Sequence, residues 1–156
     1  MGKEIERKFL VKNETYKKLC FGKLYKQGYL NSSPERTVRV RIIDNKGFLT
    51  IKDKGNKLTR SEFEYEIPYI EGEEILNNIC EKPIIEKTRY LYNYMGHLWE
   101  IDEFHGENEG LVIAEIELNS ESESFTYPDW IGEEVTYDSR YFNSCLITNP
   151  YKYWNK

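Results

Sequence analysis

A chain of 156 residues fits one domain, and its net charge of -5 argues against a general nucleic-acid or membrane-surface binder, which would present a surplus of Lys and Arg. Cys20, Cys80 and Cys145 are odd in number and lack any C-x-x-C spacing, so neither a disulfide framework nor a zinc site is indicated, and a reducing cytoplasm fits best. The N-terminus is charged from Lys3 onward and lacks the long apolar run expected of a signal peptide, no run approaches the ~20 apolar residues of a membrane span, and Glu6 stands where a myristoylation motif wants Ser or Thr.

Taken in chain order, period-two alternation of bulky β-formers predicts about eight strands, at 3–12, 25–30, 37–43, 47–54, 59–68, 84–94, 97–104 and 111–118. The links at 31–34, 44–47, 54–56, 95–96 and 106–110 carry turn residues, and short links favour antiparallel neighbours. Short amphipathic helices are expected at 14–19 after Asn13, at 71–80 with Ile75, Leu76 and Ile79 on one stripe, and at 139–146 after Asp138. Together these give an α+β architecture: a closed or strongly curled antiparallel sheet with a few covering helices.

Charged residues make up 31% of the chain, above the usual quarter, and they fall on one parity of every strand. Glu4, Glu6 and Lys8 alternate with Ile5 and Phe9; Arg39 and Arg41 alternate with Val38, Val40 and Ile42. Arg60, Glu62, Glu64 and Glu66 alternate with Phe63, Tyr65 and Ile67; Lys87 and Arg89, Glu100 and Asp102, and Glu115 and Glu117 continue the pattern. For any one strand this reads as a solvated outer face laced with ion pairs. Across all of them, basic and acidic strands are segregated, which suggests a site inside an inside-out barrel.

Arg39, Arg41, Lys52, Lys87, Arg89 and Lys8 suit the closely spaced anionic oxygens of a triphosphate. Glu4, Glu6, Glu115 and Glu117 supply two carboxylate pairs that suit Mg²⁺ or Mn²⁺. No Ser-His-Asp or Cys-His nucleophile pattern is evident, and His97 and His105 sit in or near turns.

The N-terminal E-x-E-x-K of Glu4 to Lys8 resembles the CYTH superfamily, the triphosphate tunnel metalloenzymes. Thr37-Val-Arg-Val-Arg41 resembles the family's T-x-R-x-R strand, and Thr50-Ile-Lys52 its lysine strand. Arg60 to Glu66 is similar to its acidic strand, Glu86-Lys-Thr-Arg89 to its next basic pair, and Glu115-Ile-Glu117 to its late carboxylate strand. The segment from Glu134 to Asn143 is similar to its closing segment. The resemblance spans the whole chain, read as one CYTH domain over 1–156.

What the resemblance implies is an eight-stranded antiparallel tunnel in which the basic residues bind triphosphate. Glu4, Glu6 and Glu117 would hold the divalent metal with Glu115 close by. Lys8 would contact phosphate and help orient the water. Glu62 and Glu64 would organise the basic residues or a second metal, and Arg140 and Tyr29 are expected at the substrate. The implied function is metal-dependent hydrolysis of free tripolyphosphate to pyrophosphate and orthophosphate. Class IV adenylate cyclase or thiamine or nucleoside triphosphatase stands as the alternative, and a non-catalytic polyphosphate-binding module as a third. Oligomeric state stays open, a homodimer included, as does whether the tail at 150–156 packs on the barrel or on a partner.

Overall fold

A computed structural model of the chain describes residues 2–56 and 58–156. Strands β1 (Gly2–Val11), β2 (Gly22–Asn31), β3 (Arg36–Ile43), β4 (Lys46–Asp53) and β5 (Thr59–Ile67) are followed by helix α1 (Tyr69–Asn78). Then come β6 (Ile85–Tyr94), β7 (His97–Phe104), β8 (Val112–Glu117), a short β9 (Ile131–Glu134) and a one-turn helix α2 (Cys145–Thr148). The sheet order is β5-β4-β3-β2-β6-β7-β8-β1-β9, and β1 also pairs with β5, so eight antiparallel strands close into a barrel.

Tight turns make this meander. Tyr94 pairs with His97 across a two-residue turn in which Met95 (φ 50°) and Gly96 (φ 84°) both adopt left-handed backbone. Such a turn matches the twist of the flanking strands, and Gly takes the second position without a Cβ penalty.

The closing seam is short. One edge of β1 pairs with β5 only from Gly2 to Ile5 and with β9 only near Phe9 and Val11. In the gap between them the Glu6 N–H donates to the Leu58 carbonyl (3.1 Å), and the Lys8 carbonyl accepts from Val135 N–H (2.8 Å). The chain after β9 therefore enters the barrel end at β1.

The barrel is inside-out, as the alternation predicts. One apolar core lies outside β1, β7 and β8, where Phe9, Trp99, Ile101 and Ile116 are covered by Tyr16, Trp130 and the 119–131 segment. A second lies where α1 places Leu76 and Cys80 on Val40 and Ile42. A Cβ on Gly28 would stand 3.0 Å from both Leu76 and Cys80, so the bare backbone of β2 is what lets α1 approach. Removing a fully buried aromatic such as Trp99 would cost ~3–5 kcal/mol.

The eight expected strands form the barrel, and a short ninth, β9, adds to β1, its four residues too few for alternation to reveal. Two expectations need correction. The expected helices at 14–19 and 139–146 shrink to 3-10 turns at Thr15–Lys18 and Ser139–Tyr141, with α2 after the second. The inner face is also not ionic throughout: Ile85, Phe104 and Ile113, on the same parity as Lys87, Asp102 and Glu115, form an apolar plug with Leu146 and Ile147 of α2. The C-terminal tail packs on this plug through Tyr151 and Trp154.

Candidate active site

The plug closes one end of the barrel, and beyond it lies a chamber of about 230 Å³. Its lining includes Glu4, Glu6, Lys8, Tyr29, Arg39, Arg41, Lys52, Glu62, Glu64, Lys87, Arg89, Glu115 and Glu117. All the residues singled out from sequence meet there except Arg140. That side chain is exposed, makes a two-pronged contact with Asp138 (2.6 Å at the closest) and lies over the Trp154 ring at 5.1 Å. The 3-10 turn at Ser139–Tyr141, capped by the Asp138 carboxylate, carries it outward. His97 pairs with Glu123 and His105 with Thr88, and neither lines the chamber.

Strand order divides the chamber into two half-walls. Neighbours β4, β3, β2 and β6 contribute Lys52, Arg39, Arg41, Lys87 and Arg89; neighbours β7, β8, β1 and β5 contribute Glu100, Glu115, Glu117, Glu4, Glu6, Glu62 and Glu64. Lys8 and Arg60 are the cations set within the acidic half.

On the cationic half, Arg39 is buried and its Nε–H finds no hydrogen-bond acceptor among the described residues, although Nη2 donates to Thr50 Oγ1 at 3.1 Å. A buried donor left unmet is costly. Burial, then the neighbouring Arg39 and Arg89 charges, pushes the Arg41 guanidinium down to about 9. The Lys87 ammonium lies 2.7 Å from Asp102, yet burial and the nearby Arg89 and Arg41 push it down to about 7, because Asp102 is shared. Asp102 takes Arg89 in a two-pronged pair at 2.7 and 2.8 Å, and despite its burial these two cations hold its carboxyl far below the usual range. Asp102 reaches across from β7, and of the five cations on this half only Arg41 makes no ion pair among the described residues; Arg39 meets Glu64 at 3.5 Å and Arg89 also meets Glu100 at 3.3 Å.

The acidic half shows the converse. Glu6 stands directly opposite Glu117, and Glu115 opposite Glu100, in the strand registers. Like charges directly paired destabilise a sheet unless something neutralises them. Partial neutralisation comes from protein cations: Lys52 reaches both Glu4 oxygens at 2.9 and 3.0 Å, Arg60 lies 3.5 Å from Glu4 and 3.7 Å from Glu6, and Lys8 contacts Glu6 and Glu115. Burial opposes charge on Lys8, but Glu115 and Glu6 outweigh it and hold the ammonium above the ordinary lysine range.

Glu117, at the open mouth, makes no ion pair among the described residues. Partial burial, then Glu4, Glu6, Glu100 and Glu62, pushes its carboxyl up to about 7. Among the described residues no three His, Cys, Asp or Glu side chains are gathered into a ready-made metal cage. The donor chemistry nonetheless fits a hard divalent cation: the acidic half offers clustered carboxylate oxygens, and the like-charged pairing of Glu6 with Glu117 is what such a cation would relieve.

Several contributors escaped the sequence reading as site residues: Arg60, Glu100, Asp102, Gln27, Thr37, Thr50, Phe142, Asn143 and Ser144. Parity was the available signal for Arg60, Glu100 and Asp102. The last three enter on the segment that crosses from β9, where the Lys8 N–H donates to Thr136 Oγ1 (3.0 Å) and Phe142 lies under both Lys8 (5.8 Å) and Arg60 (5.7 Å).

Comparison with known proteins agrees with this architecture. The inorganic triphosphatase of Acetivibrio thermocellus is 57% identical over 152 residues, 97% of each chain. That of Nitrosomonas europaea is 39% identical, covering 92% of this chain and 95% of the relative. The crystal structure of the inorganic triphosphatase NE1496 superposes with a TM-score of 0.64 at 35% identity, covering 92% of this chain and 93% of that one. The CYTH domain model matches residues 2–144, and with a closed barrel of this topology around the charged chamber, the chain belongs to the CYTH family.

Proposed function

We propose that this protein is a divalent-cation-dependent inorganic triphosphatase that splits tripolyphosphate into pyrophosphate and orthophosphate. The observation that carries the reading is one chamber with a cationic and an acidic half, in which Arg41 on one side and Glu117 on the other have no ion-pair partner among the described residues. A linear triphosphate and its cation would balance both together. The names of the two relatives support the same activity. Size favours a free rather than an organic triphosphate, because about 230 Å³ lies below the ~300–1,000 Å³ of typical small-molecule pockets.

Arg39, Arg41, Lys87 and Arg89 would take the phosphate oxygens, the arginines by their planar forks. Glu4, Glu6 and Glu117, with Glu115 beside them, would hold Mg²⁺ or Mn²⁺, Glu4 and Glu6 giving up their present lysine and arginine partners. When bound, such a cation neutralises phosphate charge and makes water a better nucleophile. Water oxygen attacks a terminal phosphorus in line, the bridging P–O bond breaks, and pyrophosphate leaves with its electrons while the water proton passes to a carboxylate or solvent. Lys8, charged and between Glu6 and Glu115, would meet the attacked phosphoryl group.

Orthophosphate release from tripolyphosphate, ATP and thiamine triphosphate, each with Mg²⁺, Mn²⁺ or EDTA, tests this, with cyclic AMP assayed in the ATP reactions. Metal-dependent release fastest on tripolyphosphate is expected. Cyclic AMP would make the protein a cyclase, and ligand-induced stabilisation without turnover would make it a binding module.

A further inference from the structure

Two buried cations, Lys87 and Arg41, are held by amides: Lys87 in addition to its pair with Asp102, and Arg41 with no carboxylate partner among the described residues. Asn143, on the segment that crosses the barrel end, accepts at Oδ1 from the Lys87 ammonium (2.9 Å) and from Gln27 Nε2 (3.2 Å). Gln27 is fully buried, and its own Oε1 accepts from Arg41 Nε at 2.9 Å. Because a guanidinium can only donate, Gln27 must turn its oxygen to Arg41, which leaves its nitrogen to donate to Asn143 and so fixes the Asn143 oxygen toward it. The result is a one-directional chain, Arg41 to Gln27 to Asn143, converging with Lys87 on a single carbonyl oxygen.

We infer that Asn143 is a positioning residue for the phosphate-binding wall, holding Lys87 directly and Arg41 through Gln27. The inference rests on the reading of the chamber as a triphosphate site. A neutral acceptor is the physically apt choice here. A second carboxylate beside Asp102 would repel the anionic substrate, whereas an amide oxygen orients the ammonium and leaves its charge for phosphate. The same segment accepts the backbone N–H of Lys8 at Thr136, so one stretch of chain sets the backbone of one buried lysine and the head group of another.

The test uses the full chain in EDTA, with Asn143→Ala, Asn143→Asp, Gln27→Ala and the Asn143→Ala/Gln27→Ala double variant. Three quantities are measured: the Lys87 side-chain nitrogen titration by ¹⁵N NMR, tripolyphosphate affinity by calorimetry, and thermal midpoint. Asn143→Ala removes an acceptor from the charged form, so the Lys87 midpoint should fall, and affinity should weaken about tenfold, the order expected for one hydrogen bond to a charged group. Asn143→Asp should bring the Lys87 midpoint back to or above its native value while still weakening affinity. The double variant should lose less than the product of the two single losses, since both break one chain.

A wild-type Lys87 titration and wild-type affinity in Asn143→Ala would overturn the inference, as would strictly multiplicative losses in the double variant. Should Asn143→Ala not fold, Gln27→Ala and Asn143→Asp carry the same comparison. If the wild type does not bind tripolyphosphate at all, the triphosphate reading fails, while the Lys87 titration still decides whether Asn143 holds that lysine.

Discussion

Asp102 is the charge on which the cationic half-wall depends. It is 1% exposed and serves Lys87 at 2.7 Å and Arg89 at 2.7 and 2.8 Å, so Asp102→Asn keeps the shape but leaves buried Lys87 without its counter-charge and Arg89 with only Glu100 (3.3 Å) and Glu115 (3.8 Å). Breaking a buried ion pair from one side costs ~3–5 kcal/mol. At ~2–4 °C per kcal/mol for a chain of this size, the unfolding midpoint should fall by about 6–20 °C. The pH dependence has a definite sign. Asp102 ionises more readily folded than unfolded, so its contribution is complete above the unfolded pKa of ~3.9 and fades only as pH falls toward the depressed folded value. Because losing Asp102 also lowers the Lys87 ammonium below about 7, the difference between variant and wild type should widen as pH falls from 8 to 6 and shrink only in strong acid. It should also narrow when saturating tripolyphosphate is added in EDTA, since phosphate oxygens replace the missing carboxylate. Circular dichroism melts with and without the ligand provide the assay. An Asn variant that melts within 2 °C of wild type, or a gap unaffected by ligand, would refute the reasoning.

Three further predictions follow from the same geometry. Lys87, pushed down to about 7 in the empty chamber, should regain its proton when an anion arrives, so tripolyphosphate binding at pH 8 should take up protons, and Lys87→Met should abolish the uptake; calorimetry in buffers of different ionisation enthalpy reads this directly. Glu6→Gln should raise the Mg²⁺ concentration for half-maximal turnover by about 10- to 100-fold, the order lost even when outer metal partners are removed, and unchanged turnover at limiting Mg²⁺ would count against Glu6 as a ligand. Arg140→Ala should leave kcat/KM within about twofold, because the side chain is exposed on Asp138 and Trp154 and the loss of a surface pair is worth ~0–1 kcal/mol; a hundredfold loss would show that it reaches substrate after all.

Much of the site was legible because alternation in a strand maps directly onto the two faces of a barrel. Thr37, Arg39 and Arg41 share a face whatever the register, and so do Glu4, Glu6 and Lys8. Parity is silent on depth along the barrel axis, which is why Ile85, Phe104 and Ile113 close the inner end on the same face as the charges. It is silent on register too, so the meeting of Asp102 with Lys87 and Arg89, and of Glu6 with Glu117, emerges only from the strand pairing. The segment after β9 has no repeat to read. Its 3-10 turn sends Arg140 outward and brings Phe142, Asn143 and Ser144 inward, the reverse of the expectation for Arg140.

The most direct test of the account is a crystal structure of the protein soaked with Mn²⁺ and tripolyphosphate, with anomalous scattering used to place the metal. The account predicts phosphate oxygens on Arg39, Arg41, Lys87 and Arg89 and a manganese peak among Glu4, Glu6 and Glu117. A triphosphate bound outside the barrel, or manganese found away from those carboxylates, would contradict it.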